Sequence, residues 1–200
     1  MTVISTFELL VKPQLPKKTI SNIPSDIAEQ LAPLTRTIVQ GYFLTIANLE
    51  STIIQVSLVF TVKTPKIDPD DNQIITLLDT SGQNIIGRVF QEKKDDASKT
   101  RFTIPIAGND TVLFILQPNV TDLELLQAAN FEVRGYAEIF LSSVSTPKTA
   151  KILVTPEHRG TFFGSLNPAD KDDSSSKLGE VAYGLPIAGG NSLLELIREG

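Results

Sequence analysis

The chain contains no cysteine and no tryptophan, and it has one histidine and one methionine among 200 residues. Without cysteine there is no disulfide, no thiolate nucleophile and no Cys-ligated zinc, and a lone histidine excludes a multi-histidine metal site within one chain. Positive charge is also scarce. Eighteen Lys and Arg stand against 23 Asp and Glu, a net charge of −5, and the only basic doublets are Lys17-Lys18 and Lys93-Lys94, the second followed at once by Asp95-Asp96. Non-specific nucleic-acid binding draws its affinity from cations that neutralise phosphates, so no nucleic-acid partner is expected. No run approaches the ~20 apolar residues of a membrane-spanning helix, which argues against a transmembrane segment. The first 18 residues show neither a basic n-region nor a small-residue cleavage site, so a cytoplasmic protein is expected. The sequons at Asn109 and Asn119 then have no role.

What remains is an ordinary globular composition, 41% hydrophobic and 20% charged, in a chain long enough to bury a full core. In the stretch IIQVSLVFTV, Ile54, Val56, Leu58, Phe60 and Val62 share one parity and Gln55, Ser57 and Thr61 the other. Period two of this kind is a strand with one buried face. NFEVRGYAEIFLS repeats it, with Phe131, Val133, Ala137, Ile139 and Leu141 against Glu132, Arg134, Tyr136 and Glu138. Gly135 interrupts that row, the mark of a bulge or a close backbone approach. Shorter β-rich runs cover residues 37–47, 74–78, 84–90, 101–106, 111–116, 151–154 and 158–163, separated by turn-rich breaks such as DPDDN and EKKDDASK.

Three short helices are expected. TDLELLQAA carries a capping box, Thr121 with Glu124 three residues on. Residues 24–34 can start at Ser25 and must weaken before Pro33. NSLLELIREG closes the chain with Asn191 as a plausible cap. Long crossover helices are missing, which disfavours parallel βαβ units.

The fold class that follows is all-β: an antiparallel two-sheet β-sandwich of about nine strands, with short helices in a crossover and in the terminal arms. Residues 1–35 form an N-terminal arm, 36–165 the sandwich, and 166–200 a flexible, serine-rich linker followed by an apolar C-terminal arm. Over about residues 36–165, this alternation with one capped crossover helix resembles immunoglobulin-like and C2-like Greek-key modules, a likeness of architecture that implies no function.

Chemistry is thinly signalled. In TPEHRGTFF, Glu157, His158 and Arg159 are the candidate binding residues, and His158 is the one catalytic candidate, as a base for Thr161 or Ser165. Along a strand, however, Glu157 and Arg159 point away from His158, so the triplet is no dyad. The preferred reading is a partly exposed structural histidine, with Phe162-Phe163 as a core anchor. Glu132 and Glu138 on one strand face lie six residues, roughly 20 Å, apart, too far for a glycosidase pair. Asp68, Asp70 and Asn72 occupy positions one, three and five of a calcium loop, but Gln73 replaces the turn glycine and Asp79 the bidentate glutamate. They are candidate ligands for Ca²⁺ in a looser site.

The leading expectation is a non-enzymatic cytoplasmic protein that acts by protein contact, as a scaffold, adaptor or assembly subunit whose terminal arms meet a protein partner or a second copy. A Ca²⁺-dependent ligand-binding module of C2 or lectin type is the alternative, and a hydrolase using His158 the third.

Overall fold

A computed structural model describes residues 1–15, 23–31, 35–62, 72–80, 83–86, 90–93, 98–164 and 179–198. The strands, in chain order, are β1 (Thr2–Pro13), β2 (Thr37–Asn48), β3 (Ile54–Thr61), β4 (Ile74–Thr80), β5 (Gln83–Ile86), β6 (Phe90–Lys93), β7 (Lys99–Ile106), β8 (Thr111–Pro118), β9 (Phe131–Leu141), β10 (Thr149–Phe163), β11 (Gly179–Gly184) and β12 (Leu193–Ile197). Among the described residues two helices accompany them, α1 (Ser25–Leu31) and α2 (Leu123–Ala128). Neither is long and apolar enough to cross a membrane.

All-β architecture holds, and every ladder between the described strands is antiparallel. The twelve strands join one curled sheet along the path β5-β4-β8-β2-β1-β9-β3-β7-β6, with β10 attached to β2 and carrying β11 and β12. In both periodic stretches the apolar row is buried: Ile54, Val56, Leu58, Phe60 and Val62, and likewise Phe131, Val133, Ala137, Ile139 and Leu141. The single buried face expected of β3 is corrected, since Ser57 and Val59 on its other row are buried too.

The curl begins at a fork in β2. One edge of β2 pairs with β10 along its whole length. The other edge is shared: residues 37–40 pair with β1, and residues 42–47 pair with β8. Gly41 sits at the handover, where an added Cβ would stand 2.7 Å from the Gln117 Cβ. Beyond the fork, β1 leaves β2 and runs on along β9. A register shift between Val3 and Ser5 turns both Ile4 and Ser5 inward, and the Ser5 hydroxyl meets the buried Tyr42 hydroxyl at 3.1 Å.

Several expectations are corrected here. The apolar segment at the start of the chain is not an arm but a strand lying between β2 and β9. The terminal helix expected over residues 191–200 is instead β12, paired with the first part of β10. Its alternation, Leu194 and Leu196 buried against Leu193, Glu195 and Ile197 exposed, fits period two as well as a helix stripe, and the open β10 edge decides between them. One strand expected over residues 84–90 is two, β5 and β6, at opposite ends of the path. Residues 151–154 and 158–163 belong to one strand, β10, which runs through Pro156. The Pro156 carbonyl accepts from Leu185 N–H at 2.9 Å, so its missing donor faces the gap between β11 and β12 and leaves the β2 ladder intact. Helix α2 is capped one residue later than the Thr121 box: the Asp122 Oδ1 accepts from the Glu124 and Leu125 N–H groups, and Ala129 ends the helix in the left-handed region at φ 46°. The proposed linker, residues 167–177, lies outside the described residues.

The aromatic core is a contact cluster of Phe7, Tyr42, Phe60, Phe102 and Phe114. Phe162 and Phe163 are only half-buried, and of the two Phe163 packs against the hydrophobic core from its margin. Gly135 marks a close approach: a Cβ there would lie 2.1 Å from the Thr61 carbonyl oxygen. Gly135→Ala should therefore push β9 off β3 and lower stability by about 1–3 kcal/mol, measured by urea denaturation. An unchanged midpoint would show that the two strands separate there without penalty.

Candidate functional site

His158 stands on the inward-facing row of β10, with Ile152 and Val154, and is 5% exposed. The expectation of a partly exposed residue is thus corrected. Both ring nitrogens are committed. Nε2 accepts the main-chain N–H of Glu8 at 3.0 Å, which fixes the neutral ring's proton on Nδ1, 3.0 Å from the Tyr183 hydroxyl. Tyr183 donates in turn to the Gln40 Oε1 at 3.3 Å, and the Gln40 amide donates to the Glu8 carboxylate at 3.4 Å. The four residues close a hydrogen-bonded circuit across β1, β2, β10 and β11. The topology explains why Glu8 needs it: past the fork, the β1 edge that paired with β2 pairs with no described strand, and the imidazole takes up the Glu8 donor.

Burial lowers the His158 pKa, with the nearby Glu8 carboxylate opposing it. Burial also raises the Tyr183 phenol, helped by the same carboxylate. Tyr42, packed edge-on to the His158 ring, is pushed above its ordinary range by burial, against its hydrogen bond from Ser5. In the neutral ring, the Nε2 lone pair and the Nδ1 proton are thus both engaged by protein partners. Glu157 and Arg159 lie on the opposite face, as strand geometry requires. There the Glu157 Oε2 accepts from the Arg159 Nε at 2.9 Å and Nη2 at 2.8 Å.

That outer face carries the second feature, a groove of about 560 Å³ floored by β2, β10 and β11 and walled by Gln117 and α2. Its floor has Gly41 at the fork, with Val39 and Phe43 beside it; Phe163, Val181 and Leu126 add apolar surface. The Arg159 guanidinium lies over the Phe43 ring at 4.8 Å from its centroid. Arg159 and Glu180 are its charged residues. Among the described residues no acid–base pair converges in it.

Of the calcium candidates, Asp68 and Asp70 lie outside the described residues. The side chain of Asn72 is engaged by Asn119, whose amide donates to the Asn72 carbonyl at 2.7 Å and the Asn72 Oδ1 at 3.3 Å. Among the described residues no three His, Cys, Asp or Glu side chains cluster as metal ligands do. Asn119 itself is buried, so its sequon is closed in the folded chain. On the β9 face, Arg134 bridges Glu132 and Glu8, an exposed network of the kind that contributes little.

Glu8, Gln40 and Tyr183 were not indicated by any motif. One sign was available: Gln40 falls on the inward parity of β2 between Ile38 and Tyr42, and a polar residue in a buried row implies a polar partner.

No known protein family matches the chain, and no curated protein does. Among solved structures, one similar chain is described as "AvmM Catalyzes Macrocyclization in Alchivemycin A Biosynthesis", at 7% identity and a TM-score of 0.23, covering 91% of this chain and 88% of that one. Another is the viral chemokine binding protein R17 encoded by rodent gammaherpesvirus Peru, at 10% identity and a TM-score of 0.23, covering 90% and 63%. Likenesses this distant carry no argument about what the chain does.

Proposed function

We propose that this chain is a non-enzymatic cytoplasmic protein that acts by protein contact, with the outer groove over β2, β10 and β11 as its contact surface. On this reading the curled sheet works as a two-layered, sandwich-like scaffold. The observation that carries the proposal is the groove itself: a concave, mainly apolar surface on the outside of the sheet, with one guanidinium held in place by Glu157 and Phe43 and no converging acid and base. Contact through free terminal arms loses its motive, because both apolar terminal segments pair with the chain's own strands. No specific observation favours the calcium-dependent or hydrolytic alternatives.

Ala182 is exposed and lines the groove, so Ala182→Arg fills it without touching the core. Affinity for any partner that binds the native chain should drop at least about tenfold in this variant, while its melting temperature stays unchanged. A partner held equally well by Ala182→Arg would move the contact surface elsewhere.

A further inference from the structure

We propose that His158 is a proton-operated latch: its neutral ring ties β11 and β1 to β10, and protonation at Nε2 breaks the tie to β1 and so loosens β11, which forms part of the floor of the outer groove. The effect on binding rests on the groove reading above, whereas the latch itself does not.

The argument starts from the acceptor. Nε2 holds the Glu8 main-chain N–H through its lone pair. A proton taken from solvent uses that lone pair for a new N–H bond, so Nε2–H then faces the Glu8 N–H, donor against donor, and the amide loses its partner. On the other side, Nδ1–H keeps its bond to Tyr183, but the circuit through Gln40 to Glu8 is broken where it began. The Tyr183 ring packs edge-on against the imidazole at 5.4 Å, so movement of one disturbs the other. Beyond this, the one ladder of β11 to the described strands is that to β10. Its residues are mostly exposed, which places it at the easily opened end of the fold.

The charges around the ring leave histidine as the group that responds. On β1, Glu8 favours the imidazolium, but its carboxylate is shared with Arg134 of β9, itself paired with Glu132. On β2, Gln40 is neutral and Tyr42 is bonded to Ser5. On β11, Tyr183 is raised and stays a phenol. Glu157, Arg159 and Glu180 belong to the outer face. Because burial lowers the folded pKa below the ordinary 6.5, the unfolded or opened chain binds the proton more readily. The latch is therefore fully closed above that value and weakens as pH falls below it.

Amide hydrogen exchange followed by NMR across that range, corrected for intrinsic rates, tests this without any binding partner. Protection at Glu8 and through β11 should fall about tenfold or more as one proton is taken up, with β3 and β7 still protected. Above the transition, imidazole nitrogen shifts should report the Nδ1–H tautomer. Glu8→Gln removes the carboxylate that supports the imidazolium and should move the step to lower pH. His158→Gln retains an acceptor for Glu8 and a donor for Tyr183 but cannot titrate, so its step should vanish. A step that persists in His158→Gln, does not move in Glu8→Gln, or strikes β3 and β7 equally would overturn the latch. Failure of the Ala182→Arg experiment alone would overturn only the groove.

Discussion

A chain ending at Lys177 should melt at least about 10 °C below the full protein, or fail to fold at all. Residues 179–198 contribute two strands to the open edge of β10, and Leu194 and Leu196 are both buried beneath it. Each such leucine is worth about 2–5 kcal/mol against truncation to alanine, which together approaches the ~5–15 kcal/mol that holds a domain of ordinary stability. The loss reaches further than burial. The Ala188 N–H bonds the Ile4 carbonyl at 2.7 Å, and Leu141 and Arg198 form a bridge to β9, so the segment also closes the curl between β10 and the β1–β9 pair. Point variants sharpen the test: Leu196→Ala should cost about 2–4 kcal/mol, and Leu193→Ala, on the exposed row, no more than about 0.5. A truncated chain that melts like the full one would mean that β11 and β12 are ornaments on a fold complete without them.

Phe60→Ala is the single substitution with the largest expected effect, a loss of about 3–5 kcal/mol in the urea unfolding free energy. Its ring is fully buried and touches four others, Phe7 at 5.2 Å, Phe114 at 5.6 Å, and Tyr42 and Phe102 each at 5.8 Å between centroids. These rings come from β1, β2, β7 and β8, so one deletion opens a cavity where both halves of the sheet path meet. Phe163→Ala, at the half-buried groove wall, should cost distinctly less. Equal losses at the two positions would contradict the placement of the aromatic centre.

The strand content was legible because an apolar row keeps one parity along the whole of β3 and of β9, too long a run for a helix stripe to match. β12 was misread because five residues of alternating Leu, Leu, Glu, Leu, Ile satisfy a helix stripe nearly as well as a strand. Only the edge of β10, which has no signature in the sequence, decides the matter. β1 was misjudged for a related reason: its neighbours in the chain are proline-dotted and polar, whereas its partners are the distant β2 and β9. The triplet Glu157-His158-Arg159 gave up its geometry correctly, with the two charged residues opposite the histidine. The His158 circuit stayed hidden, because its members are drawn from residues 8, 40, 158 and 183 and meet only after the sheet has forked at Gly41.

The position of β1 sets a clock on biosynthesis. Thr2 pairs with Ile139 and Leu10 with Glu132, so β1 has no long ladder until β9 follows more than a hundred residues later. At roughly 5–20 residues per second, that wait lasts several seconds or longer. Throughout it, the edge of β1 that β9 will pair stays open, along a strand whose Ile4, Phe7, Leu9 and Val11 are all buried in the finished fold. Pairings this remote also place the protein among slow folders. The nascent chain, rather than the native one, is where this architecture is most exposed to aggregation, and a chaperone that shields β1 would raise yield without altering final stability.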